Sequence, residues 1–515
     1  MNARKANMLL ASNDRPSLRA WQARCIDQAL QTLSDEHPHY LCQATPGAGK
    51  MLMAAVLAQE LLQGDAIDYV IYLGPTTSVV ERARDTLEKI TGLAMHGRLG
   101  AGGAAFTYHA LHHRLSELKH LCQQGRVMLV WDESHHAAGH SGGTSAANQW
   151  GVGLLALERQ VRFTLALSGT PWRSDGGRLP LLRYLDTDEE SALPEGGSDG
   201  TAIRQQLMPD FIYSLEEAIR DQVCRYPRVL LVDNRDIQLT AYHTQQQQRA
   251  TQHYASIPHL LRHPAINYSG LLRHDEPLDH VLTLGCQRLA QLRQLDPDAA
   301  GLVVASDIAH AEDLTERLED LGQSVCLITS KSYDAHNRLR AFRDSSAPWI
   351  VSVGMVSEGV DIPRLRVCCY LSHVRTEQHF RQVLGRIIRR EGINDVDCYL
   401  YALNEPYLIR YARRIADDLP DDLASVTVSV TNPISSAAAA YDISRDTFPQ
   451  EQTSTDTHAM AHEEPAGETI AENTTSSTTQ ISMGSSGDKT GSVDPDLAFS
   501  QAFIERLVAL QLPSA

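Results

Sequence analysis

The stretch that decides the fold is Ala44-Thr45-Pro46-Gly47-Ala48-Gly49-Lys50-Met51. It follows an apolar run, Tyr40-Leu41-Cys42, and opens a segment over 48–62 in which Ala54, Ala55, Leu57, Ala58, Leu61 and Leu62 give a helix an apolar side. A strand, a glycine loop and a helix in that order form a phosphate cradle. Glycines let backbone N–H groups approach phosphate oxygens, the helix N-terminus adds positive potential, and Lys50 reaches the β/γ oxygens of a nucleoside triphosphate. Thr45, Pro46, Gly47, Ala48, Gly49, Lys50 and Met51 are therefore the nucleotide-binding candidates. The position after the lysine ordinarily carries Ser or Thr, whose hydroxyl ligates Mg²⁺. Met51 offers a soft thioether to a hard cation, and Leu52 and Met53 bring no oxygen either. Water can take the place of the hydroxyl, because Mg²⁺ keeps several waters. Phosphate binding is thus expected to survive Met51, and hydrolysis is the step it puts in question.

Outward from the loop, residues 14–420 alternate short apolar runs with helix-period segments, the pattern of a parallel α/β sheet. Tyr69-Val70-Ile71-Tyr72-Leu73, Val127-Met128-Leu129-Val130-Trp131 and Phe163-Thr164-Leu165-Ala166-Leu167 read as buried strands. A second series begins near His280: strands at 301–305, 324–329, 349–353 and 367–371, with a helix over 309–321. The divisions expected are an N-terminal extension (1–13), a first domain (14–235), a linker or helical insert (236–280) and a second domain (281–420). Residues 421–493 are rich in Ser, Thr, Ala and Glu and are expected to stay disordered. In 494–515, Phe499, Phe503, Ile504, Leu507, Val508 and Leu510 suggest a short amphipathic helix, docked on the body or serving a protein partner.

At 515 residues the chain has room for several cores, at roughly 100–200 residues per domain. It contains no run of about 18 apolar residues, so no membrane span is expected. Its N-terminus has no apolar core or cleavage site of a secretory leader, and its nine cysteines form no CxxC pair. Both features suit reduced thiols and a cytoplasmic location. The net charge of −17 argues at first against a nucleic-acid partner. Residues 421–515, however, hold 14 Asp+Glu and 3 Lys+Arg, a net of −11, which leaves only −6 for the first 420. A mildly acidic body with basic groups focused in a cleft can still bind a phosphate backbone.

Further motifs give the cradle its chemistry. Asp132-Glu133-Ser134-His135 closes an apolar strand: Asp132 can hold Mg²⁺ through water, and Glu133 can polarise an attacking water. Ser168-Gly169-Thr170-Pro171-Trp172-Arg173 follows the next strand. Arg386, Arg389 and Arg390 stand at i, i+3 and i+4, on one face of an expected helix. His109, His112 and His113 have metal-ligand spacing, as do His136 and His140, but no Cys cluster completes a zinc set. Glu216, Glu217 and Asp221 are followed by no strand with a Glu-x-Lys pair, so no nuclease site is expected. Trp131 reads as strand packing, with base stacking as the minor alternative.

Together these motifs resemble the superfamily 2 helicases of the DExH type, particularly the helicase subunits of type III restriction enzymes. The resemblance covers about 15–420 and includes Leu18-Arg19-Ala20-Trp21-Gln22, Gly74-Pro75-Thr76-Thr77, Thr107-Tyr108, 351–361 with Gly359 and Asp361, and 382–390. It implies two RecA-like parallel-sheet domains in tandem with an ATP cleft between them, followed by the disordered acidic tail. Gln22 would read the adenine, Gly359 and Asp361 would join the nucleotide site, and Arg386 and Arg389 would cross the cleft as arginine fingers. Pro75, Thr76, Thr107 and Tyr108 would touch the nucleic-acid backbone, and His135, Ser168, Thr170 and Gln382 would couple the two events. The implied function is an ATP- and Mg²⁺-dependent DNA helicase or translocase, with RNA left open. Two other readings stand beside it: a hydrolysis-deficient module that binds ATP and nucleic acid, motivated by Met51, and an RNA-dependent ATPase.

Overall fold

The computed structural model describes residues 16–136, 149–173, 178–186, 202–243, 248–332, 334–354, 362–392, 394–415, 425–429 and 496–508. All of these belong to one compact unit made of 1–431 and 495–515. No helix among the described residues is long and apolar enough to cross a membrane.

The first domain alternates α1 (Ala20–Thr32), β1 (His39–Ala44), α2 (Lys50–Gln63), β2 (Tyr69–Gly74), α3 (Thr77–Thr91), β3 (Gly103–Thr107), α4 (Tyr108–Gln124), β4 (Val127–Asp132), α5 (Gln149–Leu155) and β5 (Phe163–Ser168). It continues through β6 (Tyr184–Asp186), β7 (Ala202–Leu207), β8 (Phe211–Tyr213) and α6 (Leu215–Arg220). Six of its strands form a parallel sheet in the order β3-β2-β4-β5-β1-β8. Helices cover both faces, which is why β2, β4 and β5 are mostly apolar and buried almost from end to end instead of alternating. Trp131 is wholly buried in β4, so it is core and not a stacking platform. The parallel order brings the ends of β1 and β4, one strand apart, to the same edge, the place where such sheets bind ligands.

The second domain starts earlier than the expected divisions place it. Strand β9 (Tyr226–Asn234), assigned above to the first domain, pairs in parallel with β16 (Asp397–Leu403) of the second sheet. Residues 236–280 are also not a simple linker. They fold as a hairpin of β10 (Ile237–His243) and β11 (Gln248–Tyr254), then α7 (Ile257–Leu260), α8 (Tyr268–Leu271) and the start of α9 (Asp275–Arg293). Ile237 and Leu239 alternate into the core at strand period, a signal that the polar Gln and Thr between them obscure. The remainder is β12 (Ala300–Ala305), α10 (Ile308–Asp320), β13 (Val325–Ile328), α11 (Ala335–Arg343), β14 (Trp349–Val353), β15 (Leu365–Leu371), α12 (Glu377–Ile387), β16 and α13 (Pro406–Arg413).

The C-terminal stretch expected as a helix is instead a pair of strands. Within 421–493 only β17 (Ser425–Ser429) is described, and it pairs with β7; the rest of the expected disordered segment lies outside the described residues. Further on, β18 (Asp496–Phe499) pairs antiparallel with β10, and β19 (Phe503–Val508) pairs antiparallel with β9. The second sheet therefore runs β13-β14-β12-β15-β16-β9-β19. The spacing of Phe499, Phe503, Leu507 and Val508 fits a helix, but the open hydrogen-bonding edge of β9 decides the outcome. Docking on the body holds; helical form does not. Arg506 Nε donates to the fully buried Asp233 at 3.0 Å, and Phe503 stacks on His280 with ring centres 4.4 Å apart. Removing 496–515 leaves Asp233 without this cation and β9 without its cover. Thermal denaturation should drop by about 5 °C. Sedimentation should show concentration-dependent self-association through the bared strand.

Candidate functional site

The site is built where β1 ends. Gly47 and Gly49 turn the chain with φ of 81° and 92°, values that side chains rarely tolerate, and α2 begins directly after the turn at Lys50. Lys50 Nζ donates to the Ala44 carbonyl at 3.0 Å, which curls the side chain over the loop. Pro46, Gly47, Gly49, Lys50 and Met51 line a cleft of about 330 Å³, while Thr45 and Ala48 are buried in the loop itself. Met51 faces this cleft, half-buried, with its thioether in place of a hydroxyl.

Helix α1 braces the loop from behind. Gln22 is buried; its amide nitrogen donates to Gly49 O at 2.9 Å, and its oxygen accepts from Arg19 N at 2.8 Å. Arg19 Nη1 donates to Ala48 O at 2.6 Å, a contact the sequence reading passed over although Arg19 stood inside the quoted motif.

The end of β4 supplies the acidic wall. Asp132 and Glu133 both line the cleft. Asp132 accepts from Tyr72 Oη at 2.9 Å and from the Glu133 N–H at 3.0 Å. Burial, and then the charge of Glu133, push the Asp132 carboxyl up to about 6. The Lys50 ammonium offsets part of this, and a divalent cation held through water would complete the neutralisation of the two carboxylates. The donor set therefore fits Mg²⁺, with Asp132 as its protein anchor and Met51 contributing no oxygen. Glu133 sits at φ 54°, a left-handed conformation uncommon for a residue with a side chain, which aims its carboxylate into the cleft. Tyr72 is the other contributor the sequence reading missed. A tyrosine wholly buried in a strand needs a partner for its hydroxyl, and that was the available signal.

The far wall comes from the second domain. Gln382, Arg386 and Arg389 line the cleft from α12 and the residues that follow it. The approach is close: a Cβ on Gly47 would lie 2.7 Å from Arg389 Cγ, and one on Gly385 would lie 2.7 Å from Pro46 Cγ. Only glycine at 385 lets α12 lie against the loop. The expected single helical face does not form, because α12 ends at Ile387. Arg389 instead makes an antiparallel bridge with Cys224, and half-buried Arg390 donates from Nε to Gly392 O at 3.0 Å.

His135 connects the walls. It is buried, with Nε2 2.9 Å from Gln382 Nε2 and Nδ1 3.5 Å from Glu133 Oε2 and 3.4 Å from Ser168 Oγ. If the Gln382 amide is the donor, the ring proton sits on Nδ1 and faces Glu133 and Ser168. Ser168 Oγ in turn accepts from Thr170 N at 3.0 Å, and Thr170 lines the cleft. Glu133, Ser168, Thr170 and Gln382 are thus joined through one imidazole.

The residues expected to touch nucleic acid are less uniform. Pro75 lines the same cleft as Lys50 and Asp132, and Thr76 caps α3 by accepting from Val79 N at 3.4 Å. Thr107 is half-buried at the start of α4. Tyr108 is a correction: it is wholly buried, stacks on Trp150 and donates from Oη to Asp132 O at 2.7 Å, so it supports the acidic wall and offers no surface to a nucleic-acid strand. Gly359 and Asp361 lie outside the described residues.

Residues 15–173 match the family described as "Type III restriction enzyme, res subunit". An uncharacterized protein of Mycobacterium leprae (strain TN) is 29% identical over 401 residues, 75% of this chain and 61% of that protein. An uncharacterized protein of Mycobacterium tuberculosis (strain ATCC 25618 / H37Rv) is 29% identical over 393 residues, 73% of this chain and 59% of that one. The chain thus spans about three fifths of the length of these relatives. Among solved structures, a fragment assigned to the HsdR subunit of a type I restriction enzyme from Vibrio vulnificus YJ016 shares the fold. Its TM-score is 0.50 at 16% identity, covering 83% of this chain and 73% of that one. A first domain that matches the res-subunit family over 15–173, followed by a second parallel sheet, makes the chain similar to the superfamily 2 helicases, in particular to the helicase subunits of type III restriction enzymes.

Proposed function

We propose that this chain is an ATP-dependent DNA helicase or translocase that works by opening and closing the cleft between its two sheets. The observation that carries the reading is the meeting of three chemistries in one 330 Å³ cleft: a phosphate loop with Lys50, a carboxylate pair, and two arginines from the other domain. Lys50 and the loop amides hold the phosphates. Asp132 would anchor Mg²⁺, which supplies charge neutralisation on the phosphate oxygens when bound. Glu133 takes the proton of the attacking water, and Arg386 and Arg389 stabilise charge on the transferring phosphoryl group.

Arginines that reach the γ-phosphate from the second domain tie closure to the triphosphate and opening to its loss. The Glu133–His135–Gln382 connection gives the base a direct line to the helix that carries Arg386. Repeated closure moves backbone contacts along a strand. Pro75, Thr76 and Thr107, at the ends of β2 and β3, are the first-domain contacts to that backbone. The match of 15–173 to the restriction res-subunit family supports DNA as the substrate. ATP turnover should rise at least about tenfold with DNA, and the rise should fade as salt is raised from about 50 to 200 mM. Phosphate release measured with DNA and RNA in parallel checks it; stimulation by RNA alone makes the chain an RNA-dependent ATPase.

A further inference from the structure

Between α6 and β9 the chain passes from the first domain to the second through Cys224 and Arg225. Both are buried. The Cys224 thiol donates to the carbonyl of Pro46, in the phosphate loop, at 3.7 Å, and its backbone bridges to Arg389. This crossing segment touches the loop on one side and an arginine of the cleft on the other.

Arg225 is 1% exposed, and all five of its guanidinium N–H groups have acceptors. Nε donates to Asp395 Oδ1 at 2.6 Å, and Nη2 reaches Asp395 Oδ2 at 2.5 Å and Pro363 O at 2.7 Å. Nη1 donates to Leu365 O and Ile387 O, each at 2.7 Å. The Arg225 backbone N–H donates to Ile388 O, also at 2.7 Å. Ile387 and Ile388 are the end of α12, between Arg386 and Arg389. A helix end has carbonyls without helical partners, and here one residue takes two in succession and fixes where the helix stops. Asp395 is held independently, by Glu391 N at 2.9 Å and Arg366 Nε at 3.1 Å, so the carboxylate that orients Arg225 is itself anchored.

We propose that Arg225 is a positioning residue for the cleft arginines: it fixes the end of α12 so that Arg386 and Arg389 present to the γ-phosphate. The proposal rests on the reading of the cleft given above. A lysine cannot replace the fork, because an ammonium has three donors on one atom and cannot span Asp395 and three carbonyls. A displacement of about 1 Å at the arginines is enough to cost about 10²-fold in rate.

The test uses the full chain with fluorescently labelled ADP and ATPγS, comparing the natural protein with Arg225→Gln, Arg225→Lys, Arg389→Ala and Arg225→Gln/Arg389→Ala. The natural protein should prefer ATPγS over ADP, because Arg386 and Arg389 meet only the γ-phosphate. Arg225→Gln should keep ADP affinity within about twofold and lose most of that preference, with Arg225→Lys in between. Where hydrolysis is followed, kcat should fall about 10²-fold with KM for ATP little changed. The double variant should lose less than the two single losses combined, since Arg225 acts in part through Arg389. Unchanged preference in folded Arg225→Gln or Arg225→Lys, an equal loss for both nucleotides, or additive losses in the double variant overturns the proposal. Equal binding of ADP and ATPγS by the natural protein overturns the reading of the cleft, and this proposal with it.

Discussion

Arg389→Ala should lower kcat for nucleic-acid-stimulated ATP hydrolysis by at least about 10³-fold, the range in which arginine fingers act. The side chain already packs on the phosphate loop: Gly47 has no room for a Cβ because Arg389 Cγ occupies that space. Removing it takes away positive charge that meets the γ-phosphate and opens a gap over the loop. The KM for ATP should move only a few-fold, since Lys50 and the loop amides still hold the nucleotide. Arg389→Lys should not restore the rate, because a point charge lacks the planar fork. Steady-state phosphate release at saturating nucleic acid measures both. A loss under about tenfold leaves the work to Arg386 and removes Arg389 from the mechanism.

Glu133→Gln should cost about 10²- to 10⁴-fold in kcat, the range for a positioned general base. Glutamine has the same shape and leaves the left-handed backbone at this position undisturbed, so the change isolates loss of the proton acceptor. Nucleotide binding should persist or tighten, because one of two neighbouring negative charges is gone and Asp132 is relieved of the repulsion that helps raise its carboxyl. The variant should therefore accumulate with ATP bound and hold nucleic acid longer than the natural protein. Filter retention of labelled DNA in the presence of ATP reads this. Full turnover by Glu133→Gln makes the carboxylate a structural acid.

The first sheet and its loop were legible because buried parallel strands are continuous apolar runs and the loop glycines are dictated by backbone geometry. Asp132 and Glu133 could be named because they close a strand whose apolar run is plain, whereas Arg386 and Arg389 are named by the resemblance of 382–390 to a helicase motif. The rest failed on ambiguity that only tertiary contacts resolve. Phe499 and Phe503 fit a helix as well as a strand until β9 and β10 offer their edges. The run Arg386 to Arg390 extends a helix on paper, but Arg225 and Cys224 end it by taking the backbone at Ile387, Ile388 and Arg389. The resemblance sets Tyr108 beside Thr107 on the nucleic-acid backbone, yet its ring points inward to Trp150 and the Asp132 carbonyl. Arg225 carries no motif at all; its weight comes from acceptors far apart in sequence, 138 to 170 residues away.

Met51 remains the position where the cleft departs from the expected chemistry, and the central claim is that the site hydrolyses ATP with water standing where a hydroxyl would be. Phosphate release at saturating nucleic acid and Mg²⁺, for the natural protein, Met51→Thr and Lys50→Ala side by side, tests it most directly. The natural protein should turn over well above Lys50→Ala, and Met51→Thr should gain on the order of tenfold or less, about the worth of one hydrogen-bonding ligand. Equal silence of the natural protein and Lys50→Ala while Met51→Thr turns over would contradict it, and would make this chain an ATP-binding clamp.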